Sequence, residues 1–136
     1  MARVPAPAAG RGVLTVLGAA MLLVTGCSSM QRPEVEQVAT TFEDASADPA
    51  TRCELLAPAT LAAFEAEESA SCAEAIEQVP LEGGAVESVA IWGGDAQVRL
   101  SGDTLVLTET RTGWRVTAAA CSSRGEAPYQ CEVEGP

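Results

Sequence analysis

Apolar and polar residues alternate along residues 85–121, and this pattern predicts the sheet around which the rest of the chain is organised. Glycine-bearing turns at residues 93–95, 101–103 and 111–113 divide the stretch into four strands. The positions expected to face inward are Ala96, Val98, Leu100, Leu105, Leu107, Trp114, Val116, Ala118 and Ala120. The positions expected to face outward are Gln97, Arg99, Arg115 and Thr117. One face of the sheet therefore needs an apolar partner.

The residues before the sheet have helical periodicity and are predicted to supply that partner. An apolar stripe predicts an amphipathic helix over residues 33–47, opened by Pro33, with Glu36, Glu43 and Asp44 largely outside the stripe. The stripe consists of Val35, Val38, Ala39, Phe42 and Ala45. Shorter helices are expected at residues 49–56, 59–67 and 71–78. The helices thus span 33–78 and the strands 85–134, in a single α+β domain over 33–136. Its predicted architecture is N-terminal helices packed on a curved antiparallel sheet of four to five strands.

The first 26 residues have the features of an export signal. Arg3 and Arg11 precede an apolar run over residues 13–24, which is short for a membrane span. The run ends in Val24, Thr25, Gly26 and Cys27, which resembles the lipobox of bacterial lipoproteins. The resemblance implies removal of residues 1–26, a diacylglyceryl thioether on Cys27 and palmitate-type acyl chains that tether the protein to the membrane. Residues 27–32 would then form a lipid-anchored linker. The alternative is an ordinary secretory signal with a chance cysteine.

The charge of the chain excludes some classes of function. All 19 acidic residues follow residue 26, where they face six arginines, so the mature chain has a formal charge of −13. Such a chain repels nucleic acid, and no nucleic-acid partner is expected. The chain has no histidine and no lysine. This lowers the expectation of acid–base catalysis and of a metal site, and no cofactor is expected.

Four cysteines remain after Cys27, and an even number in an exported domain indicates disulfides, with three connectivities open. Cys53 and Cys72 lie on apolar faces of the second and fourth helices. Cys121 ends the last strand of the meander, and Cys131 lies in a final extended segment over residues 129–134. The predicted pairs are Cys53–Cys72, which links two helices, and Cys121–Cys131, which closes a surface loop over residues 122–130.

Helices followed by a curved meander resemble the nuclear transport factor 2-like, or cystatin-like, α+β cone. Several stretches also resemble small lipoproteins of high-GC Gram-positive bacteria: the Cys27 leader and residues 53–60, 72–75, 113–116 and 129–135. The resemblance implies a fold and a location, the extracytoplasmic face of the cytoplasmic membrane. It implies no established activity.

A pocket in the cone would be lined by aromatic residues and one carboxylate. The candidates are Phe42, Phe64, Trp92, Trp114 and Glu109. Trp114 is more typical of a core anchor, whereas Trp92, at the end of the first strand, could stack on a ligand at the pocket mouth. Glu109 continues the inward face of its strand, where an ion pair with an arginine is favoured over acid–base work. Asp95 and Asp103 fall in turns, where aspartate bonds to the backbone.

Three functions are consistent with these features. The favoured one is a non-catalytic module that binds an envelope protein or a small ligand. The second is a structural or accessory subunit without a pocket, which a completely filled cone would favour. The third is a carboxylate-dependent isomerase or dehydratase-like enzyme, which exposure of Glu109 on the convex face of the sheet would exclude. The polar outward face of the sheet is compatible with a monomer or a homodimer.

Overall fold

Helices occupy the first half of the folded chain and strands the second. The computed structural model describes residues 27–136 and the isolated positions 3, 5 and 10, and of Cys27 and Ser28 it describes the backbone alone. The predicted signal peptide otherwise lies outside the described residues. The helices are α1 (Cys27–Glu43), α2 (Pro49–Glu54), α3 (Pro58–Glu68) and α4 (Cys72–Ala75), which continues into a 3-10 turn, Ile76–Gln78.

Helix α1 differs from its prediction at both ends. The continuous described range is helical from Cys27, and Pro33 lies inside the helix. Proline there cannot donate an N–H to the preceding turn, but its neighbours hold this turn against the sheet. Arg32 Nη1 donates to the Val89 carbonyl (3.5 Å), and Glu34 Oε1 accepts the Trp114 N–H (3.4 Å).

Polar side chains mark the boundaries of the helices. Asp44 Oδ1 accepts the N–H of Ser46 (2.8 Å), forming a turn that ends α1 at Glu43 instead of residue 47. Asp48 caps α2 by accepting the Thr51 N–H (3.1 Å), and Pro49 follows it as the first helical residue. Ser71 and Glu74 form a capping box at α4.

The sheet is an antiparallel meander with five strands in chain order. They are β1 (Val86–Trp92), β2 (Asp95–Leu100), β3 (Thr104–Thr110), β4 (Gly113–Arg124) and β5 (Ala127–Glu134). The α+β class and the helices-then-strands order agree with the prediction. The predicted surface loop over residues 122–130 is instead a continuation of β4 and β5, in which Arg124 pairs with Ala127 across a tight turn.

A bulge changes which residues of β4 face the helices. The register between β3 and β4 shifts between Val106 and Leu107, so that Val116 pairs with Leu107 but Ala118 pairs with Val106. Beyond the bulge, Ala119 and its partner Val133 are fully buried, whereas Ala120 is half-buried with φ 52°. Ala119 therefore joins the core in place of Ala120, whereas Ala118 is buried, as predicted, but lies opposite Val106 and outside the main apolar cluster.

The core lies between α1 and the inner face of the sheet. Val35, Val38, Ala39 and Phe42 form the buried stripe of α1, while Ala45, beyond the helix end, is exposed. They pack with the inward residues of the strands and with Phe64 and Ile76 in one cluster. Residues 55–57 also join the sheet, since Ala57 N–H donates to the Val116 carbonyl (2.9 Å) and Val116 N–H to the Leu55 carbonyl (2.8 Å).

Both predicted disulfides are present. Cys53–Cys72 links α2 to α4 inside the core, and Cys121–Cys131 joins two residues directly opposite each other on β4 and β5. Cys53 and Cys72 are buried, whereas Cys121 and Cys131 are half-buried.

The two disulfides are expected to contribute unequally to stability. Replacing Cys53 and Cys72 with Ala should lower the free energy of unfolding by about 3–5 kcal/mol, because chain constraint and core packing are both lost. Replacing Cys121 and Cys131 with Ala should cost only about 2–3 kcal/mol, since strand pairing already holds their backbones together. Urea denaturation followed by circular dichroism measures both. An equal or larger loss in the second variant would contradict this ranking.

Candidate functional site

Three of the five residues predicted to line a pocket lie in the core. Phe42, Phe64 and Trp114 are each at most 1% exposed and belong to the main apolar cluster. Leu105 and Leu107 fill the space beside them and are fully buried as well. Rings enclosed in this way present no surface to a ligand. For these three residues, the prediction of an open pocket is corrected: they fill the interior.

The other two predicted pocket residues lie on the surface. Trp92 is 51% exposed beside the β1–β2 turn, opposite Asp95. Glu109 is exposed near the end of β3, where its Oε1 accepts a hydrogen bond from Gln31 Nε2 (3.4 Å). Glu109 is therefore neither enclosed nor paired with an arginine among the described residues. The structure does not bring the five residues together.

A groove with a mixed polar and apolar lining runs across the outer face of the sheet, the face turned away from α1. It has a volume of about 530 Å³ and is bounded by strand residues on one side and by the start of α3 and the C-terminal residues on the other. The lining residues are Ala59, Thr60, Asp95, Val106, Thr108, Thr117, Ala118, Glu134, Gly135 and Pro136. Threonine hydroxyls, two carboxylates and small apolar groups are suited to contacts with a peptide or protein surface.

Two buried carboxyl groups, those of Glu43 and Asp103, lie together at the C-terminal end of α1. Asp103, at the start of β3, is 7% exposed. Its Oδ1 accepts the N–H groups of Thr104 (2.6 Å) and Cys121 (2.8 Å), and its Oδ2 accepts that of Ala120 (2.6 Å). These bonds anchor β4 where Ala120 adopts its left-handed conformation. Asp103 is therefore a structural acceptor and more than a turn residue.

Glu43, the last residue of α1, faces Asp103 and is 5% exposed. Its Oε2 accepts the Gly83 N–H (2.9 Å), but its Oε1 is a buried atom without a hydrogen-bond partner. Burial and the neighbouring Asp103 carboxylate raise the pKa of Glu43 from 4.5 to about 8, against the opposing effects of the Gly83 N–H and the Arg52 guanidinium. A proton on Glu43 would give its carboxyl group a hydrogen bond to donate to Asp103.

Arg52 is the charged group that α2 brings to this pair. It is buried, its Nε donates to the Phe42 carbonyl (2.8 Å), and its guanidinium lies over the Phe42 ring at 5.9 Å from the centroid. Glu43 is therefore the group of this pair whose pKa is raised, and all the hydrogen bonds described for the two carboxyl groups go to the protein itself.

The sequence contained a signal for the role of Glu43. Glu43 lies four residues after Ala39 and eight after Val35, so it falls on the apolar stripe of α1. An acidic residue on such a stripe needs a buried partner or a proton. No comparable sequence pattern marks Asp103 as buried. Two of the three N–H groups that donate to it belong to β4, which is distant in sequence, and the third belongs to Thr104.

No known protein family model, curated protein or solved structure matches the chain. Over the described residues, no helix has the length and apolar character needed to cross a membrane. Within the same part of the chain, no three His, Cys, Asp or Glu side chains are grouped so that they could hold a metal ion.

The carboxyl pair predicts a pH dependence of stability. The pKa of Glu43 is higher in the folded state than in the unfolded chain, so the folded protein binds more protons between pH 4.5 and about 8. Its contribution to stability is complete below pH 4.5 and is lost as the pH rises through about 8. The loss should be on the order of 1–3 kcal/mol, less than the full pKa shift implies because other groups relax.

Glu43→Gln tests this assignment, because glutamine keeps both hydrogen bonds without titrating. Urea denaturation of the wild type at pH 5 and pH 8.5 should show the loss, and the variant should lose much less. Glu74→Gln, at the exposed cap of α4, is the matched control and should behave like the wild type. An identical pH dependence in the wild type and in Glu43→Gln would disprove the assignment.

Proposed function

We propose that the chain from Cys27 onward is a membrane-tethered lipoprotein on the extracytoplasmic face of the bacterial cytoplasmic membrane. The observation that carries the proposal is the sequence Val24, Thr25, Gly26 and Cys27 at the end of a charged and then apolar leader. A thioether at Cys27 with acyl chains gives stable attachment, which a single chain would not.

The disulfides support export of the protein and the assignment of Cys27 as the lipidated cysteine. Disulfides persist in oxidising compartments outside the cytoplasm. The chain has five cysteines, and four of them pair with each other. Cys27 therefore has no cysteine partner within its own chain, as expected of a residue reserved for lipid.

We propose further that the protein is a non-catalytic interaction module that contacts an envelope protein through its surface. The filled interior supports this reading over the binding of an enclosed small ligand. The outer groove offers a concave surface of mixed polar and apolar character for such contacts. It is equally consistent with an accessory subunit of an envelope complex. The enzyme alternative rested on Glu109, which is exposed and bonded to Gln31.

The finer description of the fold is also a proposal. A long first helix lying on an antiparallel meander that follows it in the chain supports a cystatin-like cone. Residues 53–60 and 113–116, which resemble stretches of small high-GC Gram-positive lipoproteins, lie together in the structure, since residues 55–57 bond to Val116. Fold alone assigns no activity.

Lipidation is tested by expressing the whole precursor in a bacterium that processes lipoproteins. The wild type should be found in the membrane fraction, be released by detergent, and have a mass that begins at Cys27 and includes the lipid. Cys27→Ala should lose the lipid and leave the membrane fraction or stay unprocessed, whereas Ser28→Ala should match the wild type. A water-soluble wild type with an unmodified Cys27 would refute the tether.

The filled interior is tested by native mass spectrometry of the chain from residue 28 onward, exported and purified without denaturant. We expect one species, four hydrogens lighter than the reduced chain because of the two disulfides. Denaturation should release nothing from it. A small molecule retained until denaturation would contradict the surface-contact proposal and would reveal an enclosed pocket.

A further inference from the structure

One end of the domain gathers the start of α1 and two turns of the sheet, and we call it the anchor end. It comprises residues 27–31, the β1–β2 turn at 92–95 and the β3–β4 turn at 109–113. Glu109 N–H donates to the Gly94 carbonyl (2.7 Å), which joins the two turns. Gln31 donates to Glu109 (3.4 Å), and Glu34 accepts from Trp114 (3.4 Å), which joins α1 to them.

The structure leaves no extended linker between the lipidation residue and this end. Residues 27–31 are helical, and Gln31 already bonds to Glu109 of the sheet. Four helical residues rise only about 6 Å, whereas an extended linker of that length could span about 14 Å. A lipid on Cys27 would therefore hold the anchor end, and not another part of the domain, next to the bilayer.

Exposed apolar side chains occur at the anchor end. Met30 is 82% exposed on α1, and Trp92 is 51% exposed beside the β1–β2 turn. Tryptophan is favoured at the membrane–water interface, because its ring is apolar and its N–H can bond to headgroups. The other exposed large apolar residues, Val86 and Tyr129, lie toward the opposite end, near Leu100.

The charged residues are also distributed unevenly between the anchor end and the rest of the domain. Three of the six arginines of the mature chain, Arg32, Arg111 and Arg115, lie at or beside the anchor end. Only five of the 19 acidic residues do: Glu34, Glu36, Glu54, Asp95 and Glu109. The remaining 14 acidic residues lie elsewhere in the domain. An anionic leaflet would repel them and favour the orientation in which the anchor end approaches it.

We propose that the anchor end docks on the bilayer surface, with Trp92 and Met30 in the headgroup region and the exposed Arg111 beside lipid phosphates. The phosphate contact is assigned to Arg111 because Arg32 is ion-paired with Glu36 (2.9 Å) and Arg115 donates to Trp114 and Thr112. This inference rests on the proposed lipid tether and adds a fixed orientation to it. The Glu43–Asp103 pair then remains outside the lipid layer, whereas the outer groove, which Asp95 also lines, begins beside that layer. Glu43 lies 16 residues along α1 from Cys27, about 24 Å along the helix axis.

Fluorescence quenching by lipid tests the orientation on the full lipidated protein. The mature protein is reconstituted into vesicles of phosphatidylglycerol and phosphatidylethanolamine, with or without acyl-chain-brominated phosphatidylcholine, and floated on a density gradient. Brominated lipid should reduce the Trp92 part of the emission about twofold or more, because its ring lies at the interface. The emission of Trp114, buried in the core, should not change.

Two variants separate Trp92 from the rest of the protein. Trp92→Phe should abolish the quenching and leave only the emission of Trp114. The matched control adds Tyr129→Trp to Trp92→Phe, which places an exposed tryptophan at the opposite end, and it should also escape quenching. Both variants should keep two disulfides by mass, which shows that they are folded.

Three other outcomes would each contradict a different part of the proposal. Wild-type protein that floats with the vesicles but is not quenched would overturn the docking while the tether stands. Equal quenching of the wild type and of the Tyr129→Trp control would overturn the fixed orientation. Protein that carries no lipid and does not float would refute the tether, and the docking with it.

Discussion

The buried carboxylate of Asp103 joins the start of β3 to β4 and faces Glu43 at the end of α1. It accepts three backbone N–H groups, two of them from β4 at the point where Ala120 has φ 52°. Hydrogen bonds to a charged group contribute about 1.5–3 kcal/mol each, enough to offset an alanine in the left-handed region. The conformation of β4 at Ala120, the position of the Cys121–Cys131 disulfide and the environment of Glu43 all depend on the Asp103 carboxylate.

Local patterns predicted the elements well, because the forces that define them act between residues close in sequence. The alternation in β2 and β3 and the stripe of α1 each reflect one buried face. The Cys53–Cys72 disulfide followed from the apolar faces of two helices, and the Cys121–Cys131 disulfide from the positions of its cysteines in the last strand of the meander and the final extended segment. Asp48 before Pro49 likewise marked the start of α2.

The remaining features arise from contacts between residues distant in sequence. Pro33 suggested a helix start, but Val89 and Trp114 hold the turns before and after it in helical form. The bulge in β4 depends on its pairing with β3, so alternation alone assigned Ala118 to the wrong face. Aromatic residues such as Phe42 and Trp114 fit either a core or a pocket by sequence, and only the packing decides between them.

Helix α1 makes one set of contacts with the sheet at its start and a different set at its end. Its first turns are fixed to the sheet by Gln31 and Glu34, through bonds that do not involve Glu43. Its last residue, Glu43, packs beside Gly83 and Asp103, where burial and the Asp103 carboxylate raise its pKa to about 8. A change of pH near that value would therefore act on the C-terminal end of α1, away from the bonds that fix its first turns to the sheet.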